Sequence, residues 1–288
     1  MIGPLPRGSL GGLRWRNGGK LQGGRARFGS VATSDGPEFD RLIGAALAQP
    51  FEGWSFEWLR GRLQQGAPPW DFRALLRQQM KPDTTLLDLG TGGGEFLVSL
   101  APLPRRCIAT EGYRPNLPIA RRRLAPYGVA VIPTGRTHRL PLADGSVHLV
   151  VDRHEAFSPR EVQRVLREEG WFITQQVGSQ NNRELRAWFG TPPERATNHV
   201  SSAAALAREV NSSGLAIRRS AEASFPVEFR DIGAIVYYLR AAPWEVPGFQ
   251  IDRDRERLLE MHKIIRRDGA FRTSGHRLLV LAQREARS

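Results

Sequence analysis

From Thr84 onward the apolar positions come in short, nearly continuous runs separated by amphipathic stretches. The runs "TTLLDL", "RCIATE", "VAVIPT", "VHLVVD" and "WFITQQV" have the length and β-branched content of buried strands. Between them, "GEFLVSLAPL", "PNLPIARRRLAPYG" and "SPREVQRVLREEG" place apolar residues at helical spacing. The last carries its own punctuation. Ser158 and Glu161 make a capping box, Pro159 suits the first helical position, and Gly170 marks the expected stop. Fully apolar strands alternating with helices predict a parallel sheet covered on both faces by right-handed crossovers.

The rhythm differs on either side of this block. Residues 37–83 read as a helical layer with Trp54, Phe56, Trp58 and Trp70 interspersed. After Val177, "RELRAWFG" and "SAAALAREVNSSG" are helical, a strand is expected within "GLAIRRSAEASFPVEF", and "GHRLLVLAQR" reads as the last strand. Helices between these two late strands predict a cap insertion around residues 226–270. Residues 84–288 then form the sheet domain. Residues 1–36 are Gly-rich, show no hydrophobic period and hold six Lys and Arg against one acid, so they read as a disordered basic tail. An extension without a role, a start codon placed too far upstream, and an arm for RNA or a membrane surface all fit it.

The net charge of +13 over 288 residues raises nucleic acid as a partner. Outside the tail, however, the charges fall on expected helix faces such as Arg121, Arg122 and Arg123, where solvation is the ordinary reason. No apolar run approaches the roughly 18 residues that span a bilayer, so no membrane insertion is expected. A single cysteine, Cys107, excludes an intrachain disulfide and a multi-thiolate zinc site and points to a reducing cytoplasm. The histidines show no metal-ligand spacing, and no metal is expected.

Candidate chemistry gathers at one turn. "LLDLGTGGGEFL" ends a strand in Asp88 and then places four glycines within five residues before a helix. Glycines at the carboxyl end of such a strand let backbone approach a ligand. The next strand ends in Glu111, where an acid can accept from both ribose hydroxyls. A dinucleotide turn would carry a third glycine where Glu95 stands, and an acid there repels pyrophosphate. A cofactor with a positive centre and no phosphate suits the turn better.

These residues resemble the first motif of the class I S-adenosylmethionine (SAM) dependent methyltransferases, and "IATEGYRPN" resembles the second. "HRLPLADGSVHLVV" and "EVQRVLREEGWFITQQ" resemble the blocks around their fourth and fifth strands, in the same order. The flanks "GWSFEWLRGR", "PPWDF" and "DIGAIVYYL" also look like a bacterial subgroup of that superfamily. The resemblance implies a Rossmann-like, doubly wound α/β sheet of seven strands, the last antiparallel. It implies SAM, leaving as S-adenosylhomocysteine (SAH), over Gly90, Thr91, Gly92 and Gly94. Asp88 would stand near the cofactor's amino-acid end, Glu111 on the ribose, Tyr113 beside the adenine, and Asp152 in contact with the cofactor. Arg136 stands where the family commonly has an acid for the adenine amino group.

The loop "DRHEAFSP" ends where the transferable methyl is expected. His154 is the candidate base there, with Glu155 to orient it. Trp54, Gln175, Tyr237 and Trp244 are the candidate acceptor contacts. The leading expectation is methyl transfer to a small or medium-sized molecule. An RNA methyltransferase and a non-catalytic protein of the same fold are the alternatives.

Overall fold

A computed structural model describes residues 36–135, 139–192 and 200–286. The five expected parallel runs are all strands: β2 (Thr85–Leu89), β3 (Arg106–Glu111), β4 (Ala130–Pro133), β5 (Val147–Arg153) and β6 (Leu166–Val177). They are preceded by β1 (Leu63–Gln65) and followed by β7 (Leu215–Phe229) and β8 (Phe271–Arg284), giving one sheet in the order β1-β7-β8-β6-β5-β2-β3-β4. Pairing is parallel from β6 through β4, and β8 runs antiparallel to both β6 and β7. The expected seven-stranded sheet with an antiparallel last strand is therefore present. An eighth strand, β1, lies in the stretch read as purely helical and pairs Leu63 with Phe229. Three residues are too few to show a strand period in sequence.

Successive residues of each strand face opposite layers. On one face Leu87, Leu89, Val150 and Phe172 pack with Val162 and Val165 of α5 (Pro159–Val165) and Leu206 and Val210 of α7 (Ala203–Asn211). On the other, Leu86, Leu149, Val151, Ile173 and Leu279 meet three helices: α2 (Phe72–Arg77), α3 (Glu95–Val98) and α4 (Asn116–Leu124). A third core joins Phe39 and Ile43 of α1 (Gly36–Ala48) to α8 (Ile232–Ala241) and α9 (Arg255–Asp268) over the far ends of β7 and β8. Between α5 and α7 lies the short α6 (Arg183–Trp188).

Two boundaries differ from the sequence reading. The helix opened by Ser158, whose hydroxyl accepts from Glu161 N at 3.4 Å, stops at Val165 rather than at Gly170. Leu166 instead buries its side chain and pairs with Val147, and the chain turns through Glu169 at φ 61°. The inserted helices begin at Ile232, since β7 runs on to Phe229 paired with β8.

Candidate functional site

The turn after β2 is built from its glycines. Gly90, Gly92 and Gly94 take φ of 62°, 62° and 86°, values that L side chains rarely adopt. Thr91 N donates to Thr110 O at 2.8 Å and Gly94 N to Thr91 O at 2.9 Å, which folds the turn onto the end of β3. Close approach is the second reason for glycine. A Cβ on Gly94 would stand 2.9 Å from Leu124 of α4, and one on Gly90 would meet the Glu155 carboxyl at 2.5 Å. The Trp54 indole lies directly against Gly92.

One arginine of the supposedly solvated run also belongs here. Arg123 Nη1 donates to Gly93 O at 2.5 Å and forms an ion pair with Glu95. The charge of Glu95 is therefore matched, and repulsion of a pyrophosphate falls to other acids.

Four acids converge on the turn. Asp88 is 3% exposed; burial pushes its carboxyl up to about 7, against the Thr91 hydroxyl and the Arg153 charge, with Glu111 adding to the rise. Burial also raises Glu111, opposed by the N–H groups of Tyr113, Gly92 and Gly112 and by the Asn116 side chain. The Tyr113 N–H reaches Glu111 Oε1 at 2.6 Å, while the Tyr113 ring is exposed. Asp152 is fully buried and held well above the ordinary carboxylate range by burial. Its Oδ1 accepts from Glu155 N at 3.1 Å and Gln176 Nε2 at 3.0 Å, whereas Oδ2 has no partner among the described residues. Glu155 is raised by burial and by Glu111.

His154 sits on the same loop at φ 71°, a strained conformation for a residue with a side chain, costing on the order of 1 to 3 kcal/mol. Its N–H donates to Gln175 O at 3.0 Å, which ties the loop to β6. The Trp70 indole N–H donates to Gln175 Oε1 at 2.9 Å, so the Gln175 amide nitrogen faces His154 Nε2 at 3.4 Å. In that arrangement Nε2 is the acceptor and the proton of a neutral ring sits on Nδ1. Trp70 and Gln175 thus set the orientation of His154.

Trp54 and Trp244, both partly exposed, meet edge to face with centroids 5.8 Å apart. They bring the N-terminal layer and the segment after α8 together over the turn. Tyr237 is buried, stacked obliquely on Trp58, with its hydroxyl pointing toward Pro50 O at 3.4 Å. It supports that wall from behind. Cys107 is buried, its thiol pushed up to about 12 by burial and the nearby Asp88. His148 meets Thr85 N and Arg167 and is lowered by burial and by that arginine. Arg136, His138 and His199 lie outside the described residues.

A cavity opens beside the turn, lined by Gly90, Thr110, Gly112, Leu140, Phe157 and Val162. Glu155 and Glu161 line it as well, so carboxyl groups and apolar side chains meet in one cavity at the carboxyl end of the sheet.

The comparisons with known proteins agree with this geometry. Residues 87–174 match the family described as Methyltransferase domain. A candidate methyltransferase from Bacillus halodurans C-125 superposes with a TM-score of 0.55 at 16% identity, over 75% of this chain and 99% of that one. The YcgJ protein of Bacillus subtilis gives 0.54 at 17% identity over the same shares. The 4+2 cyclase SpnF gives 0.51 at 14% identity, over 86% of this chain and 93% of that one. No curated sequence matches the chain. The matched segment holds the glycine turn, Glu111 and His154, and the fold is one found among methyltransferases. The resemblance read from the sequence is borne out at that level.

Proposed function

We propose that the protein transfers a methyl group from SAM to a small acceptor. The observation that carries this reading is the set of four inward carboxyl groups, Asp88, Glu111, Asp152 and Glu155, around a glycine turn at the carboxyl edge of the sheet. Such a cradle favours a ligand bearing cationic centres and disfavours one bearing phosphates. Bound SAM supplies a methyl group on a positively charged sulfur.

The chain's own residues then have separable tasks. Glu111 accepts the ribose hydroxyls, and Asp88, ionised on binding, faces the cofactor's ammonium. Asp152 is fully buried, so it serves mainly by fixing the loop 152–155, its Oδ2 buried beneath the turn. The cavity lined by Leu140 and Phe157 takes the adenine. His154, oriented by the Gln175 amide, removes the proton of an acceptor O–H or N–H as the new bond forms. Trp54 and Trp244 stand at the mouth, where an acceptor would enter.

Incubating the protein with methyl-labelled SAM and fractionated cell extract tests this function. Label should enter a small molecule, and far less of it with His154→Ala. Label that enters only RNA, or nothing at all, would count against the proposal.

A further inference from the structure

Next to His154 the structure gathers arginines that lack a direct ion pair among the described residues, although the carboxyl groups of Asp88 and Glu245 act on Arg153 and Arg277 from further off. Arg153 ends β5 and lies opposite Gln175 of β6, which pairs in turn with Leu279 of β8. Arg277 stands two residues beyond Leu279 toward the carboxyl edge, opposite Val177. Since Val151, Ile173 and Leu279 share one core, Arg153, Gln175 and Arg277 share the same face, each two residues further out.

Aromatic rings carry the guanidinium groups. Arg153 Cζ is 4.7 Å from the Phe96 ring centroid, and Arg73 approaches the same ring at 5.7 Å. Arg277 lies over Phe225 at 5.4 Å. Neither Arg153 nor Arg277 forms an ion pair among the described residues. Arg277 donates only through Nη1, to Asn181 Oδ1 at 2.8 Å and His276 O at 2.9 Å, which leaves Nε and Nη2 without a protein acceptor among those residues. The nearby acid, Glu245, is buried behind Asn181, whose amide donates to it at 2.9 Å. Asn181 thereby holds Arg277 in place while keeping the carboxylate away from its outer face. Arg153 is exposed over part of its surface, yet desolvation of its guanidinium, followed by the charges of Arg277 and Arg73, lowers it to about 10 against the opposing charge of Asp88. It stays charged at neutral pH.

We propose that Arg153 and Arg277 grip an anionic group, a carboxylate or a phosphate, on a small acceptor molecule whose reacting atom is then presented at His154. This rests on the methyltransferase reading and narrows its substrate class. Guanidinium forks match both anions, and stacking on rings pre-sets their planes. The site adjoins the cofactor's at one end only. Arg153 stacks on Phe96 of α3, just past the glycine turn, and feels the Asp88 carboxyl, whereas Arg277 stands on β8, two strands beyond β5. A small molecule fits better than RNA, because Arg277 is half-buried between the walls made by Phe225 and the Asn181–Glu245 pair.

The test is calorimetric titration of the full chain, with and without saturating SAH, using inorganic phosphate and, separately, benzoate as probes. Wild type loaded with SAH should bind one of them, and Arg277→Gln and Arg153→Gln should each weaken that binding about tenfold or more. SAH affinity in Arg277→Gln should stay within about twofold, since the cofactor is not its ligand. If Arg277→Gln proves unstable in thermal melts, Arg153→Gln carries the test alone. No binding of either probe, or binding unchanged in both variants, overturns the proposal. So does displacement of the probe by a short RNA whose affinity falls steeply with salt. Failure to bind SAH would strike the methyltransferase reading instead, and the titrations without SAH still judge the arginine site.

Discussion

At the scale of single residues, the account turns on charge held where burial resists it. Asp88, raised to about 7 by burial, keeps its proton in the folded protein at pH values where the unfolded chain has lost it. Between about pH 4 and 7 the folded state therefore binds the extra proton, and the contribution of Asp88 to stability declines as pH rises through that window. A cationic ligand reverses the preference, because it binds the ionised form. SAH affinity should thus increase from pH 6 to pH 8 with release of a proton, and Asp88→Asn should flatten that dependence; calorimetry in buffers of different ionisation enthalpy measures both. Glu111→Ala removes the proposed ribose acceptor and should weaken SAM by about 10- to 100-fold. An unchanged affinity would contradict the assignment. His154→Ala should lower turnover by about 100-fold or more while SAH affinity stays within about twofold. Asp88, Glu111 and His154 are legible in the sequence because each lies at or beside the carboxyl end of a strand. Arg123, Trp70 and Arg277 are not, since their partners Gly93, Gln175 and Asn181 lie 30, 105 and 96 positions away.

At the scale of elements, local signals located beginnings better than ends. The Ser158 cap opens α5 where the capping box predicts, and Ser158→Ala should cost about 1 kcal/mol in denaturant unfolding. A loss well below that would mean the cap hydrogen bond contributes little. The end of the same helix was misjudged because Gly170 looks like a stop. What ends it is tertiary: Leu166 gains more by burying its side chain and pairing with Val147 than by adding a helical residue. β1 escaped for a related reason, since its pairing partner Phe229 is 166 positions downstream. The long β7 was only partly readable, because its middle, from Ile217 to Ser224, has one face exposed and mixes charge with small residues.

At the scale of the whole molecule, strand order does the placing. With β2 and β5 adjacent at the centre of the sheet, the turns that follow them bring residues 90–94 and 152–155 to one crevice, as expected where strand order reverses. No helix among the described residues is long and apolar enough to cross a membrane. The alternation of apolar runs foretold this architecture, because a parallel sheet buries its strands on both faces and leaves that pattern in sequence. Sequence gave less access to the wall of Trp54 and Trp244, whose contact depends on how α1 and α8 pack over the third core. The central claim, that the acid-lined turn holds SAM, is tested most directly by titrating the purified protein with SAM, SAH and NAD in a calorimeter. The account predicts micromolar binding of the first two and none of NAD. Binding of NAD, or no heat from SAM and SAH, would contradict it.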